Sequence, residues 1–143
     1  MPIKTLFTAH AEAKGGRNGH SQADDGLVSV DLSVPKAMGG PGKPNTTTPE
    51  HLFAAGYAAC LGGAIEHQAR VLKIPAQSVD VKSAVSIGNS EDGGFGLAVD
   101  LEVTVVGVSQ EDAEKAVAAG HAFCPYSKAI KGNVDVNIKA TAA

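Results

Sequence analysis

The chain has 143 residues, close to one domain of roughly 150, and folding at that length buries roughly 70% of the extended chain's surface. Hydrophobic residues make up 43% and charged residues 19%, which excludes intrinsic disorder and a coiled coil. Twelve Lys and Arg against fifteen Asp and Glu leave a net charge of −3 with no basic cluster, which argues against nucleic acid as a partner.

Lys4–Ala13 reads as a strand, and the glycine-rich KGGRNG at 14–19 as a turn. After a second turn at Asp24-Asp25-Gly26, Val28, Val30, Leu32 and Val34 alternate with Ser29, Asp31 and Ser33. This is the pattern of a half-buried strand, and Pro35 ends it. Residues 36–47 (KAMGGPGKPNTT) form a loop. A helix follows to about Leu72, before Pro75. It opens either with Thr48 as cap and Pro49 in the first turn, or with Thr47 as cap and Glu50 closing a capping box. Its middle is Ala, Gly and Cys almost all round, which marks burial and close approach of a neighbour. The uncharged run Leu52–Ile65 is fourteen residues, short of the roughly 20 that span a bilayer, so no membrane partner is expected.

Two strands come next, Val79–Ile87 and Phe95–Val105, joined by NSEDGG. In the second, Phe95, Leu97, Val99, Leu101, Val103 and Val105 face one way. A second helix is capped by Ser109, with Asp112 three positions on, and ends near Phe123. Pro125 pushes Cys124 out of helical geometry. Val134, Val136, Ile138 and Ala140 make a final strand. The order is α+β with mainly antiparallel pairing, in one domain spanning 1–143 without repeat or linker. The opening MPIKTLFTAH lacks the apolar run of a secretory signal, which predicts a cytoplasmic protein.

Chemistry concentrates at two cysteines. A permanent disulfide is disfavoured in a reducing cytosol, leaving two buried thiols or transient redox chemistry. Phe53, Tyr57, Cys60, Ala64 and Val71 share one helix face. That stripe is either ordinary core or an apolar pocket with a thiol at its floor. Four of the six aromatics (Phe53, Tyr57, Phe123, Tyr126) lie within seven positions of a cysteine, which favours the pocket. Cys124 is 64 positions from Cys60, so there is no CxxC motif. Freed from its helix by Pro125, it is placed either to move as a resolving thiol or simply to end a helix. Arg17 sits among glycines that let backbone approach closely, and as a bare loop arginine it would be exposed. Glu50 in the first helical turn has capping and dipole stabilisation as its ordinary role. The five histidines show neither HExxH nor zinc spacing, so no metal is expected. A Cys60 pair with His67 or His121 is the weaker hydrolase alternative. No phosphate or dinucleotide loop motif occurs, and no cofactor is expected.

GGRNG, VSVDLSVPKAMGGPG, TPEHLFAAGYAACL and FCPYSKAIKGN together resemble the organic hydroperoxide resistance (Ohr) proteins of the OsmC-like superfamily, over nearly the full length and in family order. The early arginine favours the Ohr branch. Leu61 stands where the family commonly has an aromatic, and NTTTPE replaces a shorter Asn-Pro-Glu entry. The resemblance implies antiparallel sheets wrapped around two helices in an intertwined homodimer. It implies a thiol peroxidase for alkyl or fatty-acid hydroperoxides, with Cys60 as peroxidatic nucleophile and Cys124 as resolving thiol. Arg17 would activate Cys60 and Glu50 would hold Arg17, with Phe53, Tyr57, Phe123 and Tyr126 lining the substrate pocket. The reductant implied is a dithiol on a lipoylated protein. The competing class is a redox sensor or hydrophobic-ligand binder that uses the same pocket without turnover.

Geometry adds one constraint. Glu50 and Cys60 are ten residues apart, about 15 Å along a straight helix and about 280° around it. An arginine beside Cys60 is therefore not easily held by Glu50 of the same continuous helix. Either the helix breaks between them, or the partner subunit supplies Glu50. A dimer burying the Ala/Gly face of residues 54–64 fits the second alternative.

Overall fold

A computed structural model describes residues 2–143. Its contacts group into two compact units, the first ending at Leu52 and the second spanning Phe53–Ala143.

The first unit carries an antiparallel sheet of β1 (Ala11–Lys14), β2 (His20–Ala23) and β3 (Ser29–Asp31), in that order. Gly15 and Gly16 take positive φ angles of 82° and 59°, turning the chain into a short 3-10 helix, Gly16–Asn18, that carries Arg17. Both early strands are shorter than their sequence patterns. The β1–β2 pairing finishes where the His10 carbonyl accepts from Asp24, so residues 4–10 have no ladder to join. After Asp31 the Leu32 amide makes one more bond in the β2–β3 register, to the Gly19 carbonyl, and the chain then turns to a parallel bridge with Thr47, whose carbonyl accepts from Ser33 N–H. The 36–47 segment is an ordered loop, tied by Gly42 N–H to Val34, by Lys43 N–H to Ser33 Oγ, and by Thr47 N–H to Asp31.

Helix α1 (Pro49–Val71) runs unbroken. Thr48 Oγ1 accepts from the His51 amide at 3.1 Å, so the Thr48–Pro49 start is the one used and no Thr47–Glu50 box forms. At the other end Lys73 adopts φ 58°, while Ile74 N–H reaches the Ala69 carbonyl and Lys73 N–H the Arg70 carbonyl. These are the two bonds of a Schellman stop. Val71, assigned to the buried stripe by spacing, is 59% exposed at this terminus.

The second unit contains a mixed sheet of β4 (Ser78–Asn89), β5 (Phe95–Val106) and β6 (Asp135–Ala142), in sequence order. β4 and β5 form an antiparallel hairpin from Ser78↔Val106 to Asn89↔Phe95. β5 and β6 run parallel, because the chain between them crosses over through α2 (Gln110–Phe123) and α3 (Pro125–Ile130). The architecture is therefore α+β with two sheets and three helices, one helix more than expected. The extra helix begins at Pro125, which breaks α2 but stands at the first position of α3, where a missing N–H costs nothing.

On β5, Val99, Leu101, Val103 and Val105 are buried against Tyr57, Leu61 and Ile65 of α1 and Ala113, Ala116 and Val117 of α2. Phe95 and Leu97 continue the alternation but lie exposed towards the hairpin end. α1 and α2 meet at backbone contact, since a Cβ on Gly120 would stand 2.7 Å from Ile65 Cα. That approach sets the end of α2, and so Cys124, beside Cys60 in the fourth turn of α1. Among the described residues no helix is long and apolar enough to cross a membrane.

Candidate active site

Cys60 lies half-buried on α1 and Cys124 is fully buried in the joint between α2 and α3. Cys124 keeps an extended backbone (φ −61°, ψ 125°), as Pro125 requires, yet is held on both sides. Its N–H donates to the Gly120 carbonyl at 2.8 Å, and its carbonyl accepts from Lys128 N–H at 3.0 Å. The Cys124 thiol donates to Cys60 Sγ across 3.5 Å. Both are free thiols. An S–S bond is about 2.05 Å long, so bridging requires the sulfurs to close by about 1.5 Å. Burial pushes the Cys60 thiol pKa up; the Tyr126 amide opposes this, and the neighbouring Cys124 adds to it.

Three of the four predicted pocket aromatics gather beside these thiols. The Phe53 and Tyr57 rings meet edge to face at 5.8 Å, Tyr57 and Tyr126 lie 6.0 Å apart, and Phe53 and Tyr126 6.2 Å. Gly56 leaves room for Tyr126, whose ring edge would be 3.4 Å from a Cβ there. Burial raises the Tyr57 phenol pKa, the Ser127 bond opposes it, and both cysteines add to the rise. Phe123 stands apart, stacked on His67 at 4.9 Å and 45% exposed.

The second assembled pair is in the first unit. The Arg17 guanidinium donates to both Glu50 oxygens, Nη1 to Oε2 at 3.0 Å and Nη2 to Oε1 at 2.7 Å. This two-pronged geometry fixes the plane of the guanidinium as well as its position. The Glu50 side chain is only 12% exposed and Arg17 40%. Arg17 holds the Glu50 carboxyl below its usual range against the opposing effect of burial, and the same bond raises the guanidinium pKa. The fold thus brings Cys60 to Cys124 and Arg17 to Glu50.

One residue unmarked in the sequence, Ser127, joins this picture. Ser127 Oγ lies 2.6 Å from the Tyr57 hydroxyl and 2.8 Å from His121 Nδ1. The Ser in CPYS, three positions after Cys124, was the available signal. His121, weighed as a partner for Cys60, bonds to Ser127 instead, and His67 is the ring stacked on Phe123. Among the described residues, no three His, Cys, Asp or Glu side chains converge as a metal site.

A family model described as OsmC-like protein matches residues 40–139. The chain is 47% identical to organic hydroperoxide resistance protein OhrB of Bacillus subtilis, over 94% of this chain and 97% of the relative. It is 44% identical to the organic hydroperoxide resistance protein of Xanthomonas axonopodis pv. citri, over 96% of each. The crystal structure of an organic hydroperoxide resistance protein OsmC from Legionella pneumophila superposes with a TM-score of 0.88 at 48% identity, over 94% of this chain and 97% of that one. With two paired thiols, a clamped arginine and likeness along almost its whole length, the chain belongs to the OsmC/Ohr family.

Proposed function

We propose that this protein confers resistance to organic hydroperoxides as a cytoplasmic cysteine peroxidase. The observation that carries the reading is the 3.5 Å contact between Cys60 and Cys124 beside an aromatic wall. The Cys60 thiolate attacks the terminal oxygen of ROOH, breaking the O–O bond and leaving an alkoxide that takes a proton to become ROH. Cys60 is then a sulfenic acid. The Cys124 sulfur displaces its hydroxyl, which leaves as water with the Cys124 proton, and the S–S bond forms. A dithiol, carried by a lipoylated protein, reduces the disulfide. Phe53 and Tyr126, backed by the buried Tyr57, supply apolar surface that favours an alkyl or fatty-acid chain over hydrogen peroxide.

Burial opposes ionisation of Cys60, so the chemistry calls for a cation, and Arg17 held by Glu50 is the one assigned. Because α1 is unbroken between Glu50 and Cys60, the clamped arginine is assigned to the Cys60 of a partner subunit in a homodimer. Ala55, Ala59 and Gly63 support a dimer, since they leave one face of α1 exposed and small enough for close approach.

Steady-state reduction of cumene hydroperoxide with dihydrolipoamide supplied tests the activity. Multiple turnovers are expected, and formation of one equivalent of disulfide without turnover would mark a sensor instead. Mixing an inactive Glu50→Ala chain with an inactive Cys60→Ser chain tests the shared site. Subunit exchange should restore activity, because one site of the heterodimer has both residues intact. No recovery after verified exchange would place each site within one chain.

A further inference from the structure

A buried polar chain crosses the second unit without entering the chemistry described above. Tyr57 on α1 is fully buried and Ser127 on α3 is 4% exposed. Ser127 Oγ takes both the Tyr57 hydroxyl and His121 Nδ1 as partners, at 2.6 and 2.8 Å. Cys124 lies midway between His121 and Ser127, three residues from each, and Tyr57 lies one turn before Cys60 on the same side of α1. The hydrogen-bonded chain therefore links the same helices as the two sulfurs.

Its donors and acceptors close in one direction. A hydroxyl has one proton, and the buried Tyr57 phenol must donate it somewhere. Tyr57 donates to Ser127, and Ser127 donates to Nδ1 of a neutral His121. Burial lowers the His121 pKa and the Lys131 ammonium lowers it further, which keeps Nδ1 free to accept.

We infer that Tyr57, Ser127 and His121 form a latch that holds the Cys124 joint against α1, so that Cys124 captures the Cys60 sulfenic acid before a second peroxide does. The inference rests on the peroxidase reading above. His121 and Ser127 are positioning residues, bonded to neither sulfur. Two reactions compete for the sulfenic acid. In one, Cys60–SOH and Cys124–SH give the disulfide and water. In the other, Cys60–SOH and ROOH give the sulfinic acid and ROH, which removes Cys60 from the cycle. Resolution needs Cys124 to approach by about 1.5 Å, so its rate follows the fraction of molecules with the joint held in place. Each hydrogen bond contributes on the order of a fivefold bias, and both together more than about tenfold.

The test titrates wild type, His121→Ala, Ser127→Ala and His121→Asn with cumene hydroperoxide and measures disulfide against Cys60 sulfinic acid by mass spectrometry. The peroxide excess that drives half of the protein to sulfinic acid should fall about fivefold in His121→Ala and about tenfold in Ser127→Ala. His121→Asn places an amide near the Nδ1 position and should return the threshold towards wild type. This rescue separates a hydrogen-bonded latch from general loosening of the helix end, and the product ratio does not depend on total activity. Equal thresholds in all four proteins, or an Asn variant as sensitive as the Ala one, would overturn the latch while leaving the peroxidase intact. A wild type that forms no disulfide would instead overturn the peroxidase reading, and the latch with it.

Discussion

Cys60→Ser should abolish peroxide reduction, whereas Cys124→Ser should complete one turnover and then over-oxidise instead of cycling. A serine hydroxyl is not ionised at neutral pH and cannot take up the peroxide oxygen as a thiolate does in becoming a sulfenic acid, so nothing replaces Cys60. Cys124 acts only after the first oxygen transfer. Its removal leaves the Cys60 sulfenic acid without the sulfur that stands 3.5 Å away in the native chain. Intact-mass measurement of Cys124→Ser should show one added oxygen at one equivalent of cumene hydroperoxide, then two as excess peroxide makes the sulfinic acid. In the wild type the same titration should give a Cys60–Cys124 bridge. Oxidised Cys60 alongside a free Cys124 thiol in the wild type would remove the resolving role.

Arg17→Ala should lower kcat/KM by about 100-fold or more, and raising the pH should not restore it. Suppose the arginine lowered the Cys60 pKa enough for most of the thiol to ionise at neutral pH. The thiolate fraction at pH 7 would rise roughly 30-fold. Nucleophilicity would fall about tenfold over the same shift, so the net gain is a few-fold. A larger effect has to come from stabilising the charge that develops on the peroxide oxygens as the O–O bond breaks. A guanidinium held at two points by Glu50 is preorganised for that, and an ammonium is not, so Arg17→Lys should recover only part of the loss. The measurement is the pH profile of kcat/KM for cumene hydroperoxide. Recovery of Arg17→Ala to within a few-fold of wild type at pH 9 would show that ionisation was the main contribution.

Periodicity and punctuation by themselves determined most of the element order. The alternation of β5, the Ser109 cap and the stop at Phe123 depend on residues close in sequence, and all three are in the structure. The segments around Arg17, Glu50, Cys60 and Cys124 were legible because they are contiguous motifs. Elements that depend on distant partners were less legible. Residues 4–10 have strand-like composition but no ladder, and β6 pairs in parallel because a two-helix crossover precedes it. Pro125 reads locally as a breaker, yet it both ends α2 and begins α3.

At the site, the family resemblance implied that Glu50 holds Arg17 and that Cys124 resolves Cys60, whereas spacing and periodicity alone left the pairings open. The tertiary structure sets the contacts themselves, Arg17 with Glu50, 33 positions away, and Cys124 with Cys60, 64 positions away. It also decided that Phe123 turns to His67 while Tyr126 joins Phe53 and Tyr57. Beyond the Ser of CPYS, the Tyr57–Ser127–His121 chain had no local signature, because a hydroxyl on a six-residue helix is polar surface until another helix covers it. Propensity and periodicity act over one or two turns of chain. A hydrogen bond or sulfur contact between helices depends on how closely their backbones approach, and here Gly120 against Ile65 sets that distance.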